Sequence, residues 1–122
     1  MHNCLYINKR LLGYTCLRKR TFIINSKKIK YLLFDSLIIK KEMRKKKLSI
    51  NLMNFNNKVI KKNKKLSFLI CNKNLVSFYK KFSWKKIPKN KFKIIDHKFS
   101  SNCMYCNSQN KLKYPINIYF SK

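Results

Sequence analysis

The sequence predicts an α/β (α+β) fold: a mixed, mostly antiparallel sheet with a central parallel strand–helix–strand–helix unit. Three observations carry this. Alternating, β-rich runs fill residues 5–39, the hydrophobic period then lengthens from two to between three and four, and the runs that follow read strand, helix, strand, helix.

Leu5, Tyr6 and Ile7 lead into the polar Asn8, Lys9 and Arg10, and residues 11–22 read as a strand containing Gly13. Ile23 and Ile24 continue it to Asn25-Ser26-Lys27-Lys28, a composition suited to reversal. Residues 29–39 form a long, largely apolar strand suited to the centre of a sheet. This opening third is an antiparallel meander. Leu48, Leu52, Phe55 and Val59 then fall at helical spacing, with Met53 and Ile60 beside them and Asn56, Lys58 and residues 61–65 on the wet side or in the next loop. Residues 66–71 are a short apolar strand. Asn72-Lys73-Asn74 caps a second helix, in which Leu75, Phe78, Tyr79 and Phe82 share a face. Two strands joined through a helix imply a parallel pair with a right-handed crossover. In the tail, residues 91–95 alternate like an edge strand, residues 100–110 are polar and read as a loop, and residues 116–120 read as a terminal strand. With no repeat and no linker, residues 1–122 are expected to form one domain.

The 122 residues suffice for one core, and 45% of them are hydrophobic, which excludes a disordered polybasic tail despite a formal charge of +28. No window approaches a membrane span, and the opening residues lack the order of a secretory signal, so a cytoplasmic location away from membranes is expected. Lys supplies 27 of the 31 cations, Ala is absent and Gly13 is the single glycine. That is the mark of AT-rich codon drift, which loads a solvated surface with Lys. The alternative reading is a surface that binds nucleic acid non-specifically. Base-specific readers and phosphate forks favour Arg, which is scarce here.

Five cysteines make no disulfide framework. Cys103 and Cys106 form a C-x-x-C pair with no second pair to complete a zinc tetrahedron and no following helix for a redox site, so no metal is expected.

Three segments and the order of elements resemble the GNAT superfamily of acetyl-CoA-dependent N-acetyltransferases. After the strand ending at Ile39, Arg44-Lys45-Lys46-Lys47-Leu48-Ser49 resembles the family's [QR]-x-x-G-x-[GA] loop. Backbone N–H groups of such a loop, at a helix N-terminus, make a nest for a diphosphate. Asn72 to Trp84 resembles the N-x-x-A-x-x-x-Y-x-K-x-G-[FW] segment, and Leu11-Leu12-Gly13-Tyr14 an early family strand. The matches span residues 5–87.

The resemblance implies a GNAT-like domain, N-terminally short and lacking the usual first strand and helices, that transfers an acetyl group from acetyl-CoA directly to a primary amine. It implies Tyr79 as the acid at the thiolate. Backbone atoms of Leu37 and Ile39 would hold the pantetheine amides and polarise the thioester. Arg44, Lys45, Lys46, Lys47, Leu48 and Ser49 would hold the diphosphate, and Asn72 would lie beside the pantetheine arm. Asp35 is the first choice for the base, with Glu42, Asp96 and His97 as alternatives; Cys71 is read as packing. Expected partners are the unassigned amine, nucleic acid held by charge, and a second copy in a homodimer. Two other readings stay open: an inactive relative, and a basic RNA- or ribosome-associated protein. Glycine is depleted within the motifs themselves, since Lys47 and Ser83 stand where the family carries Gly. A left-handed backbone at Lys47 would cost about 1 kcal/mol.

Overall fold

A computed structural model describes residues 1–44, 47–98, 102–108 and 111–122. Strands β1 (His2–Ile7), β2 (Arg10–Ile24) and β3 (Lys27–Ile39) form the expected antiparallel meander. Asn8 and Lys9 turn the first corner with φ of 50° and 64°, Asn25 and Ser26 the second with 49° and 63°. Two consecutive positive φ values give the turn whose twist matches its strands, and Asn tolerates that region better than most residues.

Helix α1 (Leu48–Lys62) buries Leu48, Leu52, Met53, Asn56 and Ile60. The buried stripe is rotated from the expected one: Phe55 is 53% exposed, and Asn56, expected on the wet side, is fully enclosed. Two features explain the rotation. Gly13 on β2 lets Leu52 approach so closely that an added Cβ would lie 2.4 Å from Leu52 Cδ1. Asn56 also has polar company, because Asn3 Nδ2 donates to Asn56 Oδ1 at 3.2 Å and to Thr15 Oγ1 at 3.0 Å. That cluster ties β1, β2 and α1 together and satisfies the Asn56 oxygen, while Asn56 Nδ2 stays buried with no partner among the described residues.

Strand β4 (Ser67–Cys71) lies parallel to β3, completing the expected crossover. Helix α2 (Val76–Lys80) follows a 3-10 turn at Lys73–Leu75. The expected side-chain cap is absent; the Asn72 carbonyl instead accepts the Leu75 N–H at 3.0 Å. Leu75 is exposed, so the apolar face reduces to Phe78, Tyr79 and Phe82.

Strands β5 (Lys85–Lys86), β6 (Phe92–Ile94), β7 (Asn102–Cys106) and β8 (Ile116–Ile118) complete a sheet of order β5-β7-β4-β3-β2-β8-β6, with β1 also paired to β2. Strand β6 is an edge and β8 lies near the terminus, as expected. Strand β7 corrects the expected loop over residues 100–110: it is an interior strand whose Cys103, Met104 and Cys106 are buried. Reduced thiols act as small apolar groups, so a segment that looks polar by composition carries an apolar pattern. Residues 99–101, 109 and 110 of that stretch lie outside the described residues.

One face of the sheet packs against α1 and α2 through Leu17, Phe34, Met53, Ile60, Tyr79 and Trp84. The other is covered by the chain's end through Leu112, Ile116, Ile118 and Phe120, which meet Phe22, Tyr31 and Phe68. No helix among the described residues is long and apolar enough to cross a membrane.

Replacing Gly13 by Ala is expected to lower unfolding stability by about 1–3 kcal/mol, since the methyl would meet Leu52 and Ile39 in a filled core. Urea denaturation of the two proteins reads this directly, and an unchanged midpoint would refute the close approach.

Candidate active site

The sheet is two half-sheets joined at one narrow seam. Strands β3 and β4 pair only at Leu32–Ser67 and Leu33–Phe68. Beyond these pairs β3 runs on to Ile39 while keeping its pairing to β2, and β4 runs to Cys71 while keeping its pairing to β7. The strands therefore diverge, leaving an open β3 edge of roughly 20 Å at 3.3 Å per residue.

A bulge re-aims that edge. Leu17 pairs with Phe34 but Cys16 with Ser36, so Asp35 is one residue extra on β3. Before the bulge the Leu32 N–H donates across the seam to the Leu66 carbonyl at 3.0 Å. After it, the Lys40 N–H donates the opposite way, to Leu12 on β2, at 2.8 Å. Alternation from Lys40 then turns the backbone groups of Leu37 and Ile39 toward the opening. In an unbulged strand they would face β2.

Tyr79 lies across the point of divergence. Its ring packs edge-on against Phe34, the first β3 residue past the seam, with centroids 6.0 Å apart, and against Trp84 at 6.5 Å. Burial, then the neighbouring Cys71 thiol at the end of β4, push its phenol up to about 12. The side chain is buried, and its hydroxyl is hydrogen-bonded to no described residue. Cys71 packs inside the core with Sγ 3.9 Å from Met104 Sδ, and burial pushes its thiol upward. That protonated thiol fits the packing role. Cys103 and Cys106 face opposite sides of β7, one into each core, so they cannot grip one ion between them.

Asp35 sits on the other face from Tyr79. Its Oδ2 accepts from Arg18 Nε at 2.7 Å, and both side chains are about half exposed. The carboxylate holds the Arg18 guanidinium more firmly protonated than usual. Asp35 shares a cavity of about 440 Å³ with Arg18, Arg20, Ile70, His97 and Phe120.

Of the residues expected to hold the diphosphate, Arg44, Lys47 and Ser49 line one cavity of about 400 Å³, together with Ile50, Phe78, Lys81 and Phe82. Leu48 is in that segment but turns inward to pack with Leu12, Ile39 and Leu52. Asn72 is exposed beyond the end of β4 and does not line this cavity. Lys45 and Lys46 lie outside the described residues, as does the side chain of Glu42. Arg44 Nε also reaches back to the Ile39 carbonyl at 3.3 Å, tying the loop to the open strand edge. Lys81 is the member that sequence reasoning passed over. Its signal was the Lys two residues after Tyr79 in the matched segment.

The donor set fits a diphosphate. Three cations converge, and helix α1 begins with no side-chain cap and no acid in its first turn, leaving its positive end for an anion. Lys47 turns the chain into that helix with φ of 59° and ψ of 18°, and Ser83 also has a positive φ, 66°. Both positions thus have the conformation that glycine adopts without strain.

No family model matches the chain, and no curated protein matches it. Solved structures do. ElaA from Escherichia coli superposes with a TM-score of 0.63 at 15% identity, covering 85% of this chain and 66% of its own. The Bacillus subtilis N-acetyltransferase YlbP, solved with coenzyme A, gives 0.59 at 13%, with coverage of 86% and 66%. Arabidopsis thaliana Naa50, solved with a bisubstrate analogue of coenzyme A and a peptide, gives 0.62 at 17%, with coverage of 86% and 71%. The fold is that of the GNAT N-acetyltransferases, as the resemblance implied. The chain spans just under two thirds of the length of ElaA and of YlbP.

Lys47→Gly and Ser83→Gly are each expected to raise stability by about 0.5–1 kcal/mol, the left-handed strain relieved less the entropy that glycine adds to the unfolded chain. Thermal and urea unfolding check this; a loss of stability at either site would show that its side chain matters more than its backbone.

Proposed function

We propose that the chain binds acetyl-CoA and transfers its acetyl group directly to a primary amine. The observation that carries this is the seam: a two-pair junction, a bulge that turns Leu37 and Ile39 into the opening, and a cationic cavity at the α1 N-terminus. Neighbours of the same fold were solved with coenzyme A, which supports the co-substrate.

Arg44, Lys47, Lys81 and the uncapped start of α1 hold the diphosphate, with Ser49 allowing close approach. Phe78, Phe82 and Ile50 give an apolar wall beside the cations. Leu37 and Ile39 supply backbone hydrogen bonds along the open edge. When bound, acetyl-CoA presents the thioester carbonyl that the amine attacks. Asp35, through the Oδ1 that Arg18 leaves unbonded, accepts a proton from the incoming ammonium. Tyr79, implied by the resemblance as the acid, sits on the opposite face and donates a hydrogen bond to the departing sulfur; the second proton that the nitrogen sheds as the C–S bond breaks ends on that thiolate. With its phenol near 12 against about 8.5 for an ordinary thiol, it stabilises a thiolate by hydrogen bonding without giving up its proton.

A second reading, a relative that folds but no longer catalyses, is favoured by Lys47, whose Cβ stands where the backbone would meet a phosphate. The RNA-binding reading rests on the +28 charge alone.

Calorimetry with acetyl-CoA is expected to show saturable binding with Kd on the order of micromolar. Arg44→Gln and Lys81→Gln should each weaken it about tenfold, the loss of one charge-assisted contact. Tyr79→Phe should leave binding in place and lower kcat about 100-fold. Binding that appears only in Lys47→Gly would establish the inactive-relative reading. No binding in either protein, with tight salt-sensitive RNA binding, would overturn the transferase.

A further inference from the structure

The cavity holding Asp35 is built differently from the rest of this surface. Arg18 and Arg20 are two of only four arginines in a chain with 27 lysines, and both line it. They sit two apart on β2 and so share a face, while Lys19 between them points away. Both positions present fork-shaped donors to the cavity, a geometry that Lys cannot reproduce.

The donors are aimed. Arg20 Nε donates to the Phe120 carbonyl at 2.5 Å and Nη1 to the Lys19 carbonyl at 2.8 Å, which fixes the guanidinium and leaves Nη2 without a described partner. Arg18 uses Nε on Asp35, and its two Nη groups donate to no described residue. The Phe120 carbonyl is itself held in place, because Asp96 accepts the backbone N–H groups of Phe120 and Ser121 at 2.8 Å each. His97 closes the rim, its ring 5.7 Å from Phe120 and its Nε2 3.4 Å from Ser121 Oγ. Within this cavity one carboxylate oxygen therefore stands beside two guanidinium forks.

We infer that this cavity receives the acceptor, and that the acceptor is a zwitterion: an amine carrying a phosphate or a carboxylate close to its nitrogen. The inference rests on the transferase reading and adds the substrate class. The ammonium goes to Asp35 Oδ1, and the anion takes the Nη donors of Arg18 and Arg20 as a forked pair. Polyamines are excluded on the same grounds: they carry no group for the guanidiniums, and the +28 chain repels them.

Four arginines give few Nε–H resonances, which makes nuclear magnetic resonance the direct test. Acetyl-CoA should shift Arg44. With the coenzyme present, O-phosphoethanolamine and β-alanine should shift Arg18 and Arg20, whereas ethanolamine and spermidine should not; the two zwitterions tell phosphate from carboxylate. In turnover, measured as thiol release, the preferred zwitterion should exceed ethanolamine by about tenfold or more in kcat/KM. Arg20→Gln should raise its KM about tenfold while the Arg44 response persists. Arg20→Lys, which keeps the charge, guards against a folding defect and should recover only part of the loss. If Arg44 responds but the zwitterions leave Arg18 and Arg20 unmoved, or if spermidine is the better acceptor, the inference fails and the transferase stands. If the zwitterions move Arg18 and Arg20 but acetyl-CoA leaves Arg44 unmoved, the transferase reading fails and takes the acceptor assignment with it.

Discussion

One extra residue in β3 governs this molecule. Without Asp35 as a bulge, the alternation set by the Leu32–Leu66 hydrogen bond would continue, and the backbone groups of Leu37 and Ile39 would face β2. With it, the same strand pairs with β4 at one end and offers an unpaired edge at the other. An exposed edge is ordinarily a liability that proteins blunt or cover. Here the edge lies inside the sheet, walled by β4 and roofed by Tyr79, so it is reachable by a slender ligand and not by another strand. Asp35 itself lies on the face opposite Tyr79, beside Arg18.

The two halves of the sheet are held apart by different means. On the helical face, Phe34, Tyr79 and Trp84 form a packed aromatic wedge at the seam, each pair meeting edge-on. Such contacts add about 0.5–1.5 kcal/mol per pair beyond burial and resist sliding, because the rings fit in few orientations. On the other face, the returning chain end is pinned by Asp96 and by Arg20, with the Tyr31 hydroxyl donating to the Tyr119 carbonyl at 2.6 Å. Burial is the largest single influence on the Asp96 carboxyl and raises it, but the backbone N–H groups of Phe120, Ser121 and Asp96 itself, with His97, together outweigh it and hold the group below the usual range. Its contribution is therefore present above the ordinary carboxylate range and fades as pH falls through the lowered value.

Much of this was legible in the residues. The meander, the change of hydrophobic period and the crossover follow from patterning, and the motif resemblance singled out Arg44 and Lys47, which line one cavity at the start of α1. Three features were not. Strand β7 is written in cysteine and methionine between polar neighbours, so its period of two is hidden from any reading that treats cysteine as chemistry before packing. The buried Asn56 depends on Asn3, 53 positions away and itself held by Thr15, which no local window joins. The bulge at Asp35 has no composition signal at all, since it is a property of the pairing between two strands.

Lys47 and Ser83 both have positive φ, the conformation that glycine adopts without strain, at the two positions where the resembled motifs carry glycine. A strained side chain costs about 1 kcal/mol, which a well-packed core absorbs, whereas changing the turn would move α1 off Gly13 and reopen the core. The fold therefore holds the loop in a conformation that its own sequence disfavours. Three of the four arginines, Arg18, Arg20 and Arg44, line the two cavities, where a planar fork offers paired donors that a lysine of equal charge does not.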